Sequence, residues 1–378
     1  MKKQNKILHI SNTNINWDYR ILRALEVSSL VFDDVSGIGI DFDEGALHAE
    51  HTCNIISLKL LTMKIKRTYF FKYIRAAFIY FEFLIRVMCI LIKNKPCVVH
   101  CHDTPALIPV IMYKLFFPTK IIYDAHELMS NKGGSNIIIS KFFFLSEKLS
   151  WNKVDHFITV GEKIRDWYVS AFGNKNNTII YNSPLLKPVD TIYNQSYLND
   201  KFDHNFDNCV KFVFVGQLIQ GRSIEKILNT FKNITKKNYV VFFVGYGELS
   251  SHIEECSKKY SNIFLHEALP HENLPSFLKL FDVGLSLIEP ISLSDEYSLP
   301  NKLFEYLSAE LFIIGSNLPE IKKLIVECNC GYIINDNLQN FLETDFTFIG
   351  NHSFDKIKIN NYLWANQKQK LIDMYKAI

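Results

Sequence analysis

The chain has 378 residues, 48% hydrophobic and 21% charged, with a formal net charge of +3. That length exceeds what one ordinary core organises, so two domains are expected. So small a charge on so long a chain gives no electrostatic case for nucleic-acid binding. The basic N-terminus MKKQNKILHISNTN lacks a small-residue cleavage pattern, and the longest apolar run, FIYFEFLIRVMCILI (78–92), is interrupted by Glu82 and Arg86. Neither a signal peptide nor a spanning helix is expected. Eight cysteines read as reduced thiols, which suits the cytoplasm.

Short β-branched and aromatic runs alternate with longer helical patterns, the mark of parallel α/β architecture. The first series of strands is expected at KILHIS (6–11), VVHCH (98–102), KIIYDA (120–125), HFITV (156–160) and TIIYN (178–182). Between the first two lies 59–95, with nine Lys or Arg and one acid, Glu82. Arg75, Glu82, Arg86 and Lys93 there share a narrow helical stripe. Two readings stay open: a helix with one solvated edge, or a basic, aromatic region resting on an anionic membrane surface. HCHD (100–103), with Cys97 before it, matches no zinc spacing and alternates along a strand, and Cys328 and Cys330 are one residue apart; no metal site is expected.

The polar stretch 183–209 reads as a linker, which sets domains at 1–182 and 210–358. The second series of strands is KFVFVG (211–216), YVVFFVG (239–245), IFLHEA (263–268), VGLSLI (283–288), LFIIGS (311–316) and GYIIN (331–335). A helical tail, 359–378, follows.

Ligands of open parallel sheets bind at the carboxyl ends of the strands, so the residues just after strands are the candidates. KIIYDA runs into His126 and Glu127, and VVHCH ends at His102 and Asp103. The first strand leads to Asn12, Asn14, Asp18 and Arg20 ahead of an apolar helix, and Asn16 or Asp18 suits its cap. In the second half Gly216 and Gly221 allow backbone to approach an anion, and Arg222 can pair with phosphate. In SLPNKLFEYLSAE, Pro300 starts a helix whose first turn carries Asn301, Lys302 and Glu305. Lys302 opposes the helix dipole, which ordinary packing does not explain; free amides plus Lys302 suit a diphosphate, and Glu305 suits two ribose hydroxyls.

VVHCHD, KIIYDAHE, VDHFITVGEKI, IIYNSP, FVGQL…GRSIE, HENLPSFLKLFDVGLSLI and SLPNKLFEYLSA occur in the order and spacing of one family. Over nearly its whole length the chain resembles the retaining glycosyltransferases of the GT-B fold, close to glycosyltransferase family 4. The resemblance implies two Rossmann-like domains facing across a cleft, with the C-terminal helix crossing back to the N-domain. It implies a nucleotide-sugar donor, UDP- or GDP-linked, as substrate and no cofactor. Gly216, Arg222, Asn301 and Lys302 would hold the diphosphate, Glu305 the ribose, and His126 would meet the donor sugar near the anomeric carbon. Asn14, Asp18, His102, Asp103 and Glu127 are acceptor-side candidates.

This sequence departs from the family where a sugar-binding glutamate is expected eight residues before Glu305: Tyr297 stands there, with Glu289, Asp295 and Glu296 as substitutes. Gln217 also replaces a second basic residue after Gly216. The implied activity is retaining transfer to a hydroxyl acceptor, a glycan or lipid-linked glycan of a capsule, O-antigen or exopolysaccharide. The expected setting is cytoplasmic, with peripheral contact at the inner face of the membrane through 59–95. The rivals are a catalytically silent GT-B binding protein, supported by Tyr297, and a nucleotide-sugar 2-epimerase.

Overall fold

The computed structural model describes residues 5–42, 53–64, 72–134, 136–184, 193–335, 338–343 and 353–378. The chain divides into two compact units, residues 1–180 with 368–378, and residues 181–367.

The first unit is a parallel sheet of β1 (Lys6–Ile10), β2 (Asp34–Ile40), β3 (Asn54–Leu58), β4 (Val98–His102), β5 (Lys120–Ala125), β6 (His156–Thr159) and β7 (Asn177–Ile179), in the order β3-β2-β1-β4-β5-β6-β7. Its helices are α1 (Tyr19–Ser28), α2 (Lys72–Asn94), α3 (Thr104–Lys114), α4 (Ile137–Ser150) and α5 (Glu162–Phe172). β4 is buried along its whole length and β5 from Ile121 onward, as central parallel strands must be. The strand order reverses between β1 and β4, so the carboxyl ends of these two strands mark the switch point of this sheet.

The second unit orders β8 (Val210–Val215), β9 (Tyr239–Val244), β10 (Ile263–His266), β11 (Val283–Ser286), β12 (Phe312–Ser316) and β13 (Gly331–Ile334) as β10-β9-β8-β11-β12-β13, with the switch between β8 and β11. Its helices are α6 (Tyr197–Phe202), α7 (Ile224–Asn233), α8 (Ser250–Lys259), α9 (Leu274–Leu278), α10 (Leu293–Glu296), α11 (Asn301–Ser308), α12 (Pro319–Cys328), α13 (Leu338–Glu343) and α14 (Lys356–Tyr362). α7 shows how the core forms. Its Ile224, Ile227, Leu228 and Phe231 recur at helical spacing and bury against Phe212, Phe214, Val241 and Phe243 of the sheet.

Two strands escape the sequence reading. β2, DVSGIGI, carries two glycines in place of strand-forming side chains. A Cβ on Gly39 would stand 2.7 Å from the Thr13 carbonyl and 2.8 Å from Ile15, so close packing of the loop after β1 selects glycine over β-propensity. β3 is short and only its last residue is buried. The expected linker is also more structured than its composition suggested: Leu198 of α6 and Phe206 are buried, Phe206 against Phe242 and Phe264. Its residues 185–192, like 65–71 of the basic region and 344–352 of the second domain, lie outside the described residues.

The tail is two helices, α14 and α15 (Trp364–Ala377), and its residues from Lys368 onward belong to the first unit. There the Tyr375 hydroxyl lies 2.8 Å from His100 Nδ1.

Candidate functional site

Each unit gathers polar side chains at the carboxyl ends of its central strands. In the first, parallel register sets His9 of β1 beside His100 of β4, and His102 of β4 beside Asp124 of β5. His100 and His102 are two apart and share a face, so the expected alternation to opposite faces applies to Cys101 and not to this pair. His102 stacks with both His9 and His100, and His9 is tilted 38° to His100, with centroids 4.3–5.4 Å apart. His9 is the member that sequence reasoning missed; it lies inside an apolar strand, and its only signal is a polar residue in a buried run.

A directional chain runs through this cluster. Ser28 Oγ donates to the Leu25 carbonyl at 2.8 Å, so it accepts from His9 Nε2 at 3.1 Å. His9 Nδ1 is then the acceptor for His102 Nε2 at 3.1 Å, which leaves His102 Nδ1 to accept from His126 Nε2 at 3.3 Å. Burial and neighbouring imidazoles hold His9 and His102 well below the ordinary histidine pKa, so both relay members are neutral.

His126 is different. Its Nε2 is also 3.3 Å from Asp124 Oδ2, and its Nδ1 is 3.5 Å from Asp103 Oδ2. Burial alone would depress its pKa, but the charges of Asp103 and Asp124 outweigh this and raise it to about 9. Asp124 in turn forms a bidentate pair with Arg20 of α1, at 3.0 and 2.7 Å. His102, Asp124 and His126 thus present three atoms 3.3–3.5 Å apart, a group able to ligate a metal, as are His9, His100 and His102. In the first group the Arg20 guanidinium already neutralises the shared carboxylate.

The other first-unit candidates are placed as follows. Asp103, at φ +62°, precedes α3 and accepts from the His126 amide at 3.0 Å; such backbone is costly for a side-chain-bearing residue and is held by its surroundings. Asn14 caps a short turn through the Asn16 amide, and Asp18 caps α1 through Arg20 and Ile21. Glu127 pairs with Lys132 at 2.6 Å on the surface.

In the second unit, β8 runs into Gly216 (φ +129°), and the chain turns at Gly221 (φ +80°) to bring Arg222 to the start of α7. The turn after β9 packs directly on this loop. A Cβ on Gly245 would lie 2.0 Å from the Gly216 carbonyl oxygen, and one on Gly247 2.3 Å from that of Leu218. The GYG of FFVGYGE is therefore a backbone-to-backbone contact.

α11 is pinned across the same strand ends by Tyr306. Its hydroxyl accepts from the Val215 amide at 3.0 Å and lies 3.3 Å from the Val213 and Leu285 carbonyls. Its ring occupies the space above Gly284, where a Cβ would come within 2.4 Å. Lys302 stands one turn earlier on the same face of the helix. Its Nζ is buried, has no hydrogen-bond partner among the described residues, and lies 3.5 Å from the centroid of the Phe214 ring. Burial, and then the like charge of Arg222, lower its pKa to about 7 against the opposing pull of Glu305.

Glu305 is buried and pairs with His271 at 3.3 Å. Asn301 is exposed and accepts from Asn182 at 3.0 Å, and the Pro300 cap supplies no side-chain bond to the first-turn amides. Of the carboxylates near Tyr297, Asp295 accepts from Ser292 in the cap of α10, and Glu289 lies 3.9 Å from Lys226; Glu296 is half-buried. A groove of about 520 Å³ is lined by Ser223, Lys226, Ile288 and Ser316 but by neither Lys302 nor Glu305.

A model described as Glycosyltransferase Family 4 matches residues 51–183, and one described as Glycosyl transferases group 1 matches residues 209–344. The chain belongs to the GT-B glycosyltransferases and is family 4-like. Sucrose-phosphate synthase from Thermosynechococcus elongatus has the same fold, with a TM-score of 0.76 and 13% identity over 99% of this chain and 98% of that one. Anabaena HepE, solved in complex with UDP, gives 0.73 and 11% over 99% and 100%. At such identities the likeness is one of fold. An uncharacterised glycosyltransferase of Methanocaldococcus jannaschii is 21% identical over 242 residues, 61% of this chain and 59% of that one. The match thus spans less than two thirds of that relative's length.

Proposed function

We propose that the protein transfers a sugar from a nucleotide diphosphate sugar to a hydroxyl acceptor, with retention of anomeric configuration. The observation that carries this reading is Lys302, a buried ammonium without a hydrogen-bond partner at the start of a helix, beside Arg222 and a glycine turn. Such a group is costly unless an anion completes it. HepE has been solved with UDP and with UDP-glucose, which favours a nucleoside diphosphate as that anion.

In this reading Gly216, Arg222, Asn301 and Lys302 take the diphosphate and Glu305 the ribose. The bond from the anomeric carbon to the phosphate oxygen breaks, and the acceptor oxygen bonds to the same face of that carbon. The acceptor proton passes to the departing phosphate oxygen, whose charge Lys302 and Arg222 stabilise without recourse to a metal. The first unit contributes His126 as the group that orients the sugar. The acceptor is a glycan or lipid-linked glycan of a bacterial surface polysaccharide, reached from the cytoplasmic side of the membrane.

The test is nucleotide release and product analysis over a panel of UDP and GDP sugars with glycan acceptors. The reading predicts turnover with one donor, an axial or equatorial linkage matching that donor, and loss of at least about tenfold in Lys302→Ala. Inverted product would sink retention. Tyr297, together with the engagement of Asp295 and Glu289 elsewhere, favours one second reading, a silent GT-B binding protein; nucleotide binding without turnover across the panel would select it.

A further inference from the structure

α4 is inverted relative to water. Its inward side carries Glu147, fully buried and accepting from Thr104, Tyr123 and Tyr168 at 2.6–2.8 Å. Its outward side carries Ile138, Phe142, Leu145 and Leu149, spaced four, three and four residues apart on one face. Ile138 is 73% exposed and Leu149 71%. A surface helix ordinarily buries its apolar face, so packing in this unit does not account for the pattern.

α2 repeats it. Phe83, Val87 and Leu91 are buried, while Ile74, Phe78, Phe81 and Ile85 are exposed at the same spacing of four, three and four. The stripe expected to supply a basic edge is instead engaged by the turn before the helix. Glu82 accepts from the Leu61 and Thr62 amides and pairs with Arg86 at 2.7 Å, and Arg75 donates to the Met63 carbonyl. The two helices meet where the Tyr80 and Phe142 rings lie 6.4 Å apart.

Charge decides what covers this face. α2, α3 and α4 contain two acids, Glu82 and Glu147, and both are taken up inside the unit. Lys93, Lys141 and Lys148 are exposed, and at 100° per residue Lys141 and Lys148 form one edge of the apolar strip on α4. A second copy would bring no acid on these helices to pair with the lysines, since Glu82 and Glu147 are already engaged. A surface that is apolar beneath and anionic at its rim satisfies both features. No described helix is long and apolar enough to cross a membrane, so the fit is to lying on one.

We propose that the α2–α4 face of the first unit docks on an anionic phospholipid bilayer, with Ile138, Leu145 and Leu149 among the acyl chains and Lys141 and Lys148 at the phosphates. Its use, bringing the protein to a lipid-borne acceptor, rests on the transferase reading above; the docking itself does not.

The full-length protein is mixed with vesicles of phosphatidylcholine, or of phosphatidylcholine with about a third phosphatidylglycerol, and sedimented without donor. Wild type is expected on the anionic vesicles at least about tenfold more tightly than on neutral ones. The triple variant Ile138→Ser, Leu145→Ser, Leu149→Ser is expected to lose binding, and Lys141→Ala with Lys148→Ala to weaken it by about tenfold on anionic vesicles alone. Because these side chains are exposed, thermal unfolding should not change. Failure of wild type to bind, or binding that the triple variant retains, overturns the proposal. A lipid-free dimer, seen by sedimentation velocity and abolished by the triple variant, would assign the face to a second copy instead. Nucleotide binding is measured separately, so loss of the transferase reading would leave the vesicle result standing.

Discussion

The ammonium of Lys302 lies 3.5 Å from the centroid of the Phe214 ring, at the start of α11 and over the carboxyl half of β8. The ring face offers partial compensation, but it supplies no hydrogen bond. The side chain is placed there by Tyr306, four residues on, which ties the helix to the ends of β8 and β11.

Lys302 should make diphosphate binding proton-linked. Its pKa is held down at about 7 in the free protein, and a bound diphosphate would raise it, so binding takes up a proton above that pH. UDP or GDP affinity should fall by up to about tenfold per pH unit as pH rises above about 7. Calorimetry in buffers of different ionisation enthalpy reads the proton uptake, and Lys302→Arg should remove the pH dependence.

Tyr306 should be a stability residue whose loss also loosens the site. Tyr306→Phe leaves the Val215 amide without its acceptor, at a cost of about 1–3 kcal/mol. Gly284→Ala pushes a methyl into the Tyr306 ring and should cost a similar amount. Chemical denaturation of each variant, alongside nucleotide affinity, separates the two effects.

Asp124 carries the first-unit cluster. Asp124→Ala leaves Arg20 buried without its carboxylate and should destabilise by roughly 3–5 kcal/mol, visible as a lowered denaturation midpoint. The double variant Arg20→Met, Asp124→Leu should recover part of that loss.

His126 gives this cluster a pH signature. Its folded pKa, about 9, exceeds the ordinary 6.5. The stabilisation is complete below pH 6.5 and is lost as pH rises through about 9. Unfolding measured from about pH 6 to 10 should show wild type losing stability relative to His126→Gln across that window. Nitrogen chemical shifts should report His126 doubly protonated at neutral pH, with His9 and His102 neutral.

Much of the architecture was legible because parallel strands announce themselves. VVHCH and KIIYDA appear with their expected bounds, since strands buried on both faces tolerate few polar interruptions. The helix start was legible for a similarly local reason, a proline at the cap just before the first turn. What stayed hidden depends on contacts distant in sequence. Glycines at 37 and 39 hide β2, and the partner that requires Gly39 lies in the loop after β1. His9 acquires meaning only beside His100, 91 residues away, and Tyr306 only against Gly284. The sequence reading passed over α4, whose periodicity would identify an apolar face without saying what covers it.

The central claim is that the second unit seats a diphosphate at Lys302 and Arg222. Equilibrium binding of nucleoside diphosphates against the corresponding monophosphates, to wild type and to Lys302→Ala, tests it most directly. Wild type should prefer the diphosphate by at least about tenfold, and Lys302→Ala should lose most of that preference. Equal affinity for both nucleotides, or a preference that survives the substitution intact, would contradict it.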